Sequence, residues 1–281
     1  MKKYLGSLAA LCLLFAGVGL TAPSTATAQD QAAGAMPPPN VLVIIREFLK
    51  PGKSGSMHEK SESAFVRAMT QANSPTHYIA ANSLSGRSRA LFFIGYDSFA
   101  DWGKDNEALM GNSSLSQAYD SAQQADGELL TSIDTNVFVF QPDMSVSPNI
   151  NVGRVHYWEI TMLKVRPGHD EDWEALAKLH NDVFGKMPNA HWTVWEKYFG
   201  AESGGLYIVT TGLRSLAELD QHRAAGHRAW SQASADQKKK MSDLEASTFE
   251  SIETNLYAVD PKMSYIADSW RTADPGFWGQ K

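Results

Sequence analysis

The chain carries nearly the same stretch twice. "SIDTNVFVFQPDMS" begins at Ser132, and "SIETNLYAVDPKMS" begins at Ser251, 119 residues later. Three more anchors repeat in the same order. Lys50-Pro51-Gly52 matches Arg166-Pro167-Gly168, His77-Tyr78 matches His191-Trp192, and residues 97–101 match residues 214–218. Offsets stay between 114 and 119, so the two copies differ only by small insertions. A chain duplicated in this way folds as two like units, and any surface that one unit leaves open is available to the other.

The order of elements within a copy follows from periodicity and punctuation. In the first copy, "VLVIIREFL" is a continuous apolar, β-branched run suited to a strand covered on both faces. It stops at the turn signal Lys50-Pro51-Gly52. Residues 57–72 have helical character, with Ala64, Phe65, Ala68 and Met69 near one face. "THYIAANS" and "RALFFIGY" read as strands joined around Gly86. A long helical region after Ser98, broken near Gly111-Asn112, leads to the strand "NVFVF", which Pro142 ends.

The second copy repeats this order. "RVHYWEITMLKV" is its first strand, and "HDEDWEALAKLHNDVFGK" is the clearest helix in the chain. Its acids crowd the first turn, where they complement the helix dipole. Trp173, Leu176, Ala177, His180 and Phe184 share one face by 3.6-residue spacing. The strands "AHWTVWEKY" and "LYIVTTGL", a helical region from 215 to about 252, and the strand "NLYAV" complete the copy. Each half is then β-α-β-β-α-β, the ferredoxin-like split unit. The duplicated stretch reads as the last helix turn and last strand of each copy.

Such a unit lays both helices on one face of a four-stranded sheet. If the other face were solvated, the strands would alternate apolar and polar. They do not. Leu91, Phe92, Phe93 and Ile94 are apolar on both sides, and Tyr157 and Trp158 point to opposite faces. The economical cover is the other copy. The expected fold is therefore α+β, with two tandem ferredoxin-like βαββαβ repeats packed sheet to sheet as an α+β barrel.

On these residues the chain resembles the dimeric α+β barrel superfamily, particularly its NIPSNAP-like and antibiotic-biosynthesis-monooxygenase-like branches. The resemblance rests on a first strand ending in "LKPG" or "VRPG", followed by a helix with acids and an aromatic, as in "RPGHDEDWEAL". It covers roughly residues 40–145 and 152–264. It implies the fold but selects no chemistry, because the superfamily includes cofactor-free oxygenases, haem-handling proteins, dehydratases and proteins of no assigned activity.

The amino terminus carries an address. Lys2 and Lys3 precede the apolar stretch "LAALCLLFAGVGL", and Ala26-Thr27-Ala28 forms a small-x-small cleavage signal before Gln29. The apolar stretch is short for a membrane span. Cys12, the only cysteine, lies within it, with Leu11 where lipidation would favour a small residue. The expected organisation is a signal peptide (1–28), a flexible lead-in (29–39), a first repeat (40–146), a linker (147–153), a second repeat (154–264) and an aromatic tail (265–281). The mature chain, secreted or periplasmic, then has no disulfide, thiol nucleophile or cysteine metal ligand. Net charge of −6 with interspersed signs shows no basic footprint for nucleic acid. The run Lys238-Lys239-Lys240, flanked by Asp236, Asp243 and Glu245, suits a solvated helix face.

A ligand-binding space between the sheets would be walled by strand aromatics with few polar groups. The expected wall is His191, Trp195, His156 and Trp158, with His77 and Tyr78 opposite. His77 and His191 hold matched positions and read either as a pair facing that space or as strand-end residues capping loops. The aromatics equally suit a closed core. His180 lies on the apolar stripe of its helix and reads as a core residue. Glu47 and Glu159 stand in apolar strands, either as general bases with raised pKa or as partners of Arg46, Arg154 or Lys197. His222 and His227 are five apart and share no helix face, and His169 with Asp170, Glu171 and Asp172 suits a helix start, so no metal site is expected. No serine-nucleophile elbow, phosphate loop or HExxH motif is present. Trp270, Phe277 and Trp278 in the tail would strap it onto the body or onto a neighbouring subunit.

The sequence thus predicts an exported barrel that binds a small apolar or aromatic molecule, with no cofactor, no nucleic acid and no membrane partner after cleavage. Homo-oligomers remain open. The alternatives are a cofactor-independent monooxygenase-like enzyme and a haem-binding protein using one histidine.

Overall fold

The computed structural model describes residues 34–201 and 204–279. The expected signal peptide, its cleavage point and Cys12 lie outside the described residues. The first copy comprises β1 (Val41–Leu49), α1 (Ser56–Ala72), β2 (Tyr78–Ser83), β3 (Arg89–Tyr96), α2 (Phe99–Gly111), α3 (Ser113–Gly127) and β4 (Leu130–Phe140). The second comprises β5 (Tyr157–Val165), α4 (Asp170–Phe184), β6 (Thr193–Gly200), β7 (Leu206–Leu213), α5 (Ala217–Gln232), α6 (Ala235–Thr248) and β8 (Phe249–Val259). Two short helices, α7 (Asp268–Ala273) and α8 (Pro275–Trp278), form the tail.

Side-chain caps explain where the helices start. Ser98 accepts a hydrogen bond from the Asp101 N–H at 3.1 Å, and Asn112 accepts one from the Leu115 N–H at 3.1 Å. Asn112 therefore turns the expected break near Gly111 into two helices. The second copy breaks its long helix at Ser234, which forms a reciprocal capping box with Gln237.

The eight strands form a closed barrel in the order β1-β3-β2-β8-β5-β7-β6-β4. Within it each copy keeps its own order, β4-β1-β3-β2 and β8-β5-β7-β6. The copies join edge to edge, β2 with β8 and β4 with β6, both antiparallel. Closure leaves no free sheet edge, and it brings the inner faces of the two sheets together as expected. Eight strands enclose a space just wide enough for side chains to fill. Leu42, Ile44, Leu91, Phe138, Ile160 and Trp195 fill it here.

Strand alternation sends the neighbouring residues to the helices. Val41 and Val43 pack outward with Tyr96 and Trp102, and Phe92 packs with Ala68 and Met69 of α1. In the second copy Leu163, Val165, Trp173, Leu176 and Phe184 build the corresponding sheet–helix layer.

The duplicated stretch needs one correction. Residues 132–135 and 251–254 are strand, not helix, because β4 starts at Leu130 and β8 at Phe249. Their alternation explains the repeated letters. Asp134 accepts from two nitrogens of Arg46, Nε at 2.6 Å and Nη2 at 3.0 Å, while Glu253 pairs with Arg89 at 3.2 Å. Asn136 packs on Gly200 across one seam, and Asn255 packs on Gly86 across the other. The Asn of "I[DE]TN" therefore meets a glycine at each seam; the Glu253–Arg89 pair also joins the copies, whereas the Asp134–Arg46 pair ties β4 to β1 within the first.

Candidate functional site

The contacts of the two "I[DE]TN" stretches lie toward one end of the barrel. At the other end a cavity of about 530 Å³ opens. Leu42, Ile79 and Phe93 of the first copy and Trp158, Thr193, Trp195 and Thr210 of the second line it. Three segments outside the barrel reach the same cavity: residues 36–39, residues 148–152 and Trp270 of the tail. The lead-in is anchored there, since Met36 and Ile150 exchange two backbone hydrogen bonds at 3.0 and 3.2 Å.

The wall is mostly aromatic and aliphatic, with few polar points. The Trp195 indole N–H donates to Thr193 Oγ1 at 2.9 Å, and the Thr193 and Thr210 hydroxyls share a 2.6 Å hydrogen bond. The Trp158 indole nitrogen is buried and has no hydrogen-bond partner. An indole N–H can only donate, so this one lacks an acceptor. His77 stands at the rim, stacked on Tyr265 with ring centres 4.9 Å apart.

The expected wall residues divide. Trp158, Trp195 and His77 line the cavity. Tyr78 does not, because β2 alternation turns it outward to pack with Phe92 and Met263 under the helices. His156 does not, although it shares parity with Trp158. It precedes β5, stacks on Phe277 with centres 3.9 Å apart and bonds Asp274 at 2.9 Å. The tail thus straps this chain's own body, with the Trp278 indole donating to the Gly153 carbonyl at 2.6 Å.

His191 is the third correction. Its Nε2 lies 2.7 Å from the Gly212 carbonyl and its Nδ1 2.9 Å from the Asn189 carbonyl, so it pins the loop before β6. It borders a separate polar hollow of about 240 Å³ with Arg154, Asn189 and Arg214. Burial first, and then the charge of His191, pushes the neighbouring His222 down to about 4. His191→Ala is expected to lower stability by about 1–3 kcal/mol through lost buried hydrogen bonds, with binding at the barrel mouth unchanged. Thermal melts and ligand titrations on this variant check both halves of that statement.

Glu47 departs from its expected salt partners. Arg46 points into the barrel, whereas Glu47 points out to the helices and meets His58 of α1 at 2.9 Å. Glu62 of α1 and Asp126 of α3 approach the same His58 nitrogen at 3.8 and 3.6 Å. All four side chains are buried. Desolvation raises the Glu47 carboxyl, and desolvation with the neighbouring acids pushes Glu62 up to about 10. The sequence reading passed over His58 and Glu62, although their four-residue helical spacing after a strand bearing Glu47 was a visible signal. Glu159 meets burial and the charge of Arg223; burial dominates and raises it.

No protein-family model matches the sequence, and no curated protein matches it either. Solved structures are similar to this chain, and the first of the following shares its fold. A candidate monooxygenase from Fusobacterium nucleatum is 10% identical, with a TM-score of 0.52, covering 80% of this chain and 94% of that one. An anthrone oxidase-like protein is 16% identical, with a TM-score of 0.49 and coverage of 78% and 91%. A chlorite dismutase mutant from Candidatus Nitrospira defluvii, in complex with cyanide, is 12% identical, with a TM-score of 0.45 and coverage of 84% and 95%.

Proposed function

We propose that this chain is an exported protein that binds a small, largely apolar or aromatic molecule in the mouth of its barrel. One observation carries the reading. Trp158 lines an aromatic and aliphatic cavity large enough for a small molecule, and its indole N–H is buried in the wall with no acceptor of its own. Leaving a buried donor unpaired costs about 1–3 kcal/mol, and a ligand oxygen would recover that cost. The expected ligand is therefore a flat, apolar molecule bearing a carbonyl or similar acceptor. The segments at residues 36–39 and 148–152, with Trp270, would close over it.

The test uses two probes of like shape, 1,4-naphthoquinone with acceptor oxygens and naphthalene without, followed by intrinsic tryptophan fluorescence. The quinone is expected to bind more tightly. Trp158→Phe, which keeps a ring and removes the N–H, should weaken quinone binding roughly five- to hundredfold and leave naphthalene binding nearly unchanged. Equal losses for both probes, or none, would remove Trp158 from the site.

Export rests on the charged, apolar and small-x-small order of residues 1–28. Intact-mass measurement on the exported fraction should find a chain starting at Gln29. Retention of Met1, or a lipid mass on Cys12, would contradict it.

A further inference from the structure

We propose that Glu47, His58, Glu62 and Asp126 form a binding site for one divalent first-row metal ion, in the sheet–helix layer of the first copy and separate from the barrel mouth. Four donor atoms, one from each side chain, lie within 4.8 Å of one another. The His58 nitrogen is 2.9, 3.8 and 3.6 Å from its three carboxylate neighbours. Ligands at about 2.0–2.2 Å from one ion stand roughly 3–4 Å apart, so the four donors close on a single ion with small side-chain adjustments.

Two independent observations separate this cluster from a chance gathering of acids. The first is its unmet bonding. Glu62 Oε1 and Asp126 Oδ1 are buried with no donor from any other side chain, only a proton that the two carboxyls would share, and each residue is about 2% exposed. Both atoms lie toward the same His58 nitrogen. Three carboxylates buried around one imidazole need added positive charge, from protons or from a cation.

The second observation comes from the duplication. The α1 stripe His58, Glu62, Phe65 and Met69 has the same spacing as the α4 stripe Trp173, Ala177, His180 and Phe184. Glu47, three residues before Lys50-Pro51-Gly52, corresponds to Leu163, three residues before Arg166-Pro167-Gly168. The second copy therefore builds the same layer from Leu163, Trp173 and Ala177, all buried and apolar. At three of the four places the fold does not require an ionisable group, yet the first copy has one at each and pays its desolvation; the fourth, Asp126, corresponds to Glu245.

One imidazole nitrogen with three carboxylate oxygens suits manganese(II), iron(II) or zinc better than the thiolate-seeking ions. A hollow of about 320 Å³ beside the cluster, lined in part by Phe65, Tyr78, Phe92 and Tyr119, leaves room for water or a small ligand on an open coordination position.

The experiment strips the full chain with a chelator and titrates it with manganese(II) and with zinc, reading stoichiometry by elemental analysis and affinity by calorimetry. One ion per chain is expected, together with a rise in melting temperature. The bound manganese should show the electron-spin-echo nitrogen coupling of a single imidazole. Glu62→Gln and Asp126→Asn, which preserve shape, should each weaken binding by more than about tenfold, the loss that even outer-shell changes cause. Glu245→Gln, at the corresponding helix of the second copy, should not. If either variant fails to fold, the nitrogen coupling of the unmutated chain decides the matter. Absence of uptake by that chain, uptake without imidazole coupling, or uptake undiminished in folded Glu62→Gln and Asp126→Asn would overturn the site.

Discussion

A fragment of residues 40–150 is expected to assemble into dimers or larger species instead of remaining monomeric. Cut from its partner, the first copy loses the strands that cover β2 and β4, which pair with β8 and β6 in the whole chain. Two open edges and an uncovered sheet face, with Leu42, Ile44, Leu91 and Phe138, would then meet water. The topology also supplies the remedy. Because β8 is the second copy's equivalent of β4, and β6 of β2, a second fragment can present its own β4 to β2 and its own β2 to β4. Sedimentation should therefore show a dimer as the smallest folded species. A well-behaved folded monomer would mean that the copies do not depend on each other, contrary to the closed barrel.

The second large effect is expected at a seam. Gly200 has a φ of +123°, and a Cβ built there would stand 2.2 Å from Asn136 Oδ1 and 2.5 Å from the Thr135 carbonyl. The asparagine could swing away, but the carbonyl belongs to the neighbouring strand and cannot. Gly200→Ala should therefore cost about 3 kcal/mol or more, combining backbone strain with displacement of the seam. In a chain of this size that is a fall of roughly 6–12 °C in melting temperature. Gly204→Ala, whose added Cβ would meet nothing within 4 Å, is the near-neutral control. Gly86→Ala tests the other seam. There the 2.1 Å contact is to the side chain of Asn255, at a φ of +74°, so the cost should be smaller.

The architecture was legible because duplication leaves a mark that does not depend on propensity. The matched Pro-Gly turns, the strands "RALFFIGY" and "LYIVTTGL", and the break at Asn112 all lie where the periodicity put them. What misled was the polarity of "SIDTN" and "SIETN". Alternating polar residues at the start of a strand look like a helix end until their inward partners, Arg46 and Arg89, are in view.

The site was legible in part, and the errors have different causes. Trp158 and Trp195 line the cavity, as strand parity turns them inward. Tyr78 was wrongly placed beside His77, although adjacent strand residues face opposite ways. The same rule would have kept Glu47 away from Arg46. His191 and His156 could not be placed by parity, because both precede their strands and are held by groups distant in sequence, Gly212 and Asp274. The burial of Glu62 and Asp126 together depends on how α1 and α3 pack, which local spacing does not specify.

The most direct measurement of the central claim is the indole region of a ¹H–¹⁵N correlation spectrum during titration with 1,4-naphthoquinone. A ligand seated in the barrel mouth should move the Trp158 N–H resonance furthest, by forming its missing hydrogen bond, and should move Trp195 and Trp270 less. Trp173, buried in the second copy's sheet–helix layer, should stay in place. Saturation with Trp158 unmoved, or with the largest shift at Trp173, would contradict a ligand site in the mouth of the barrel.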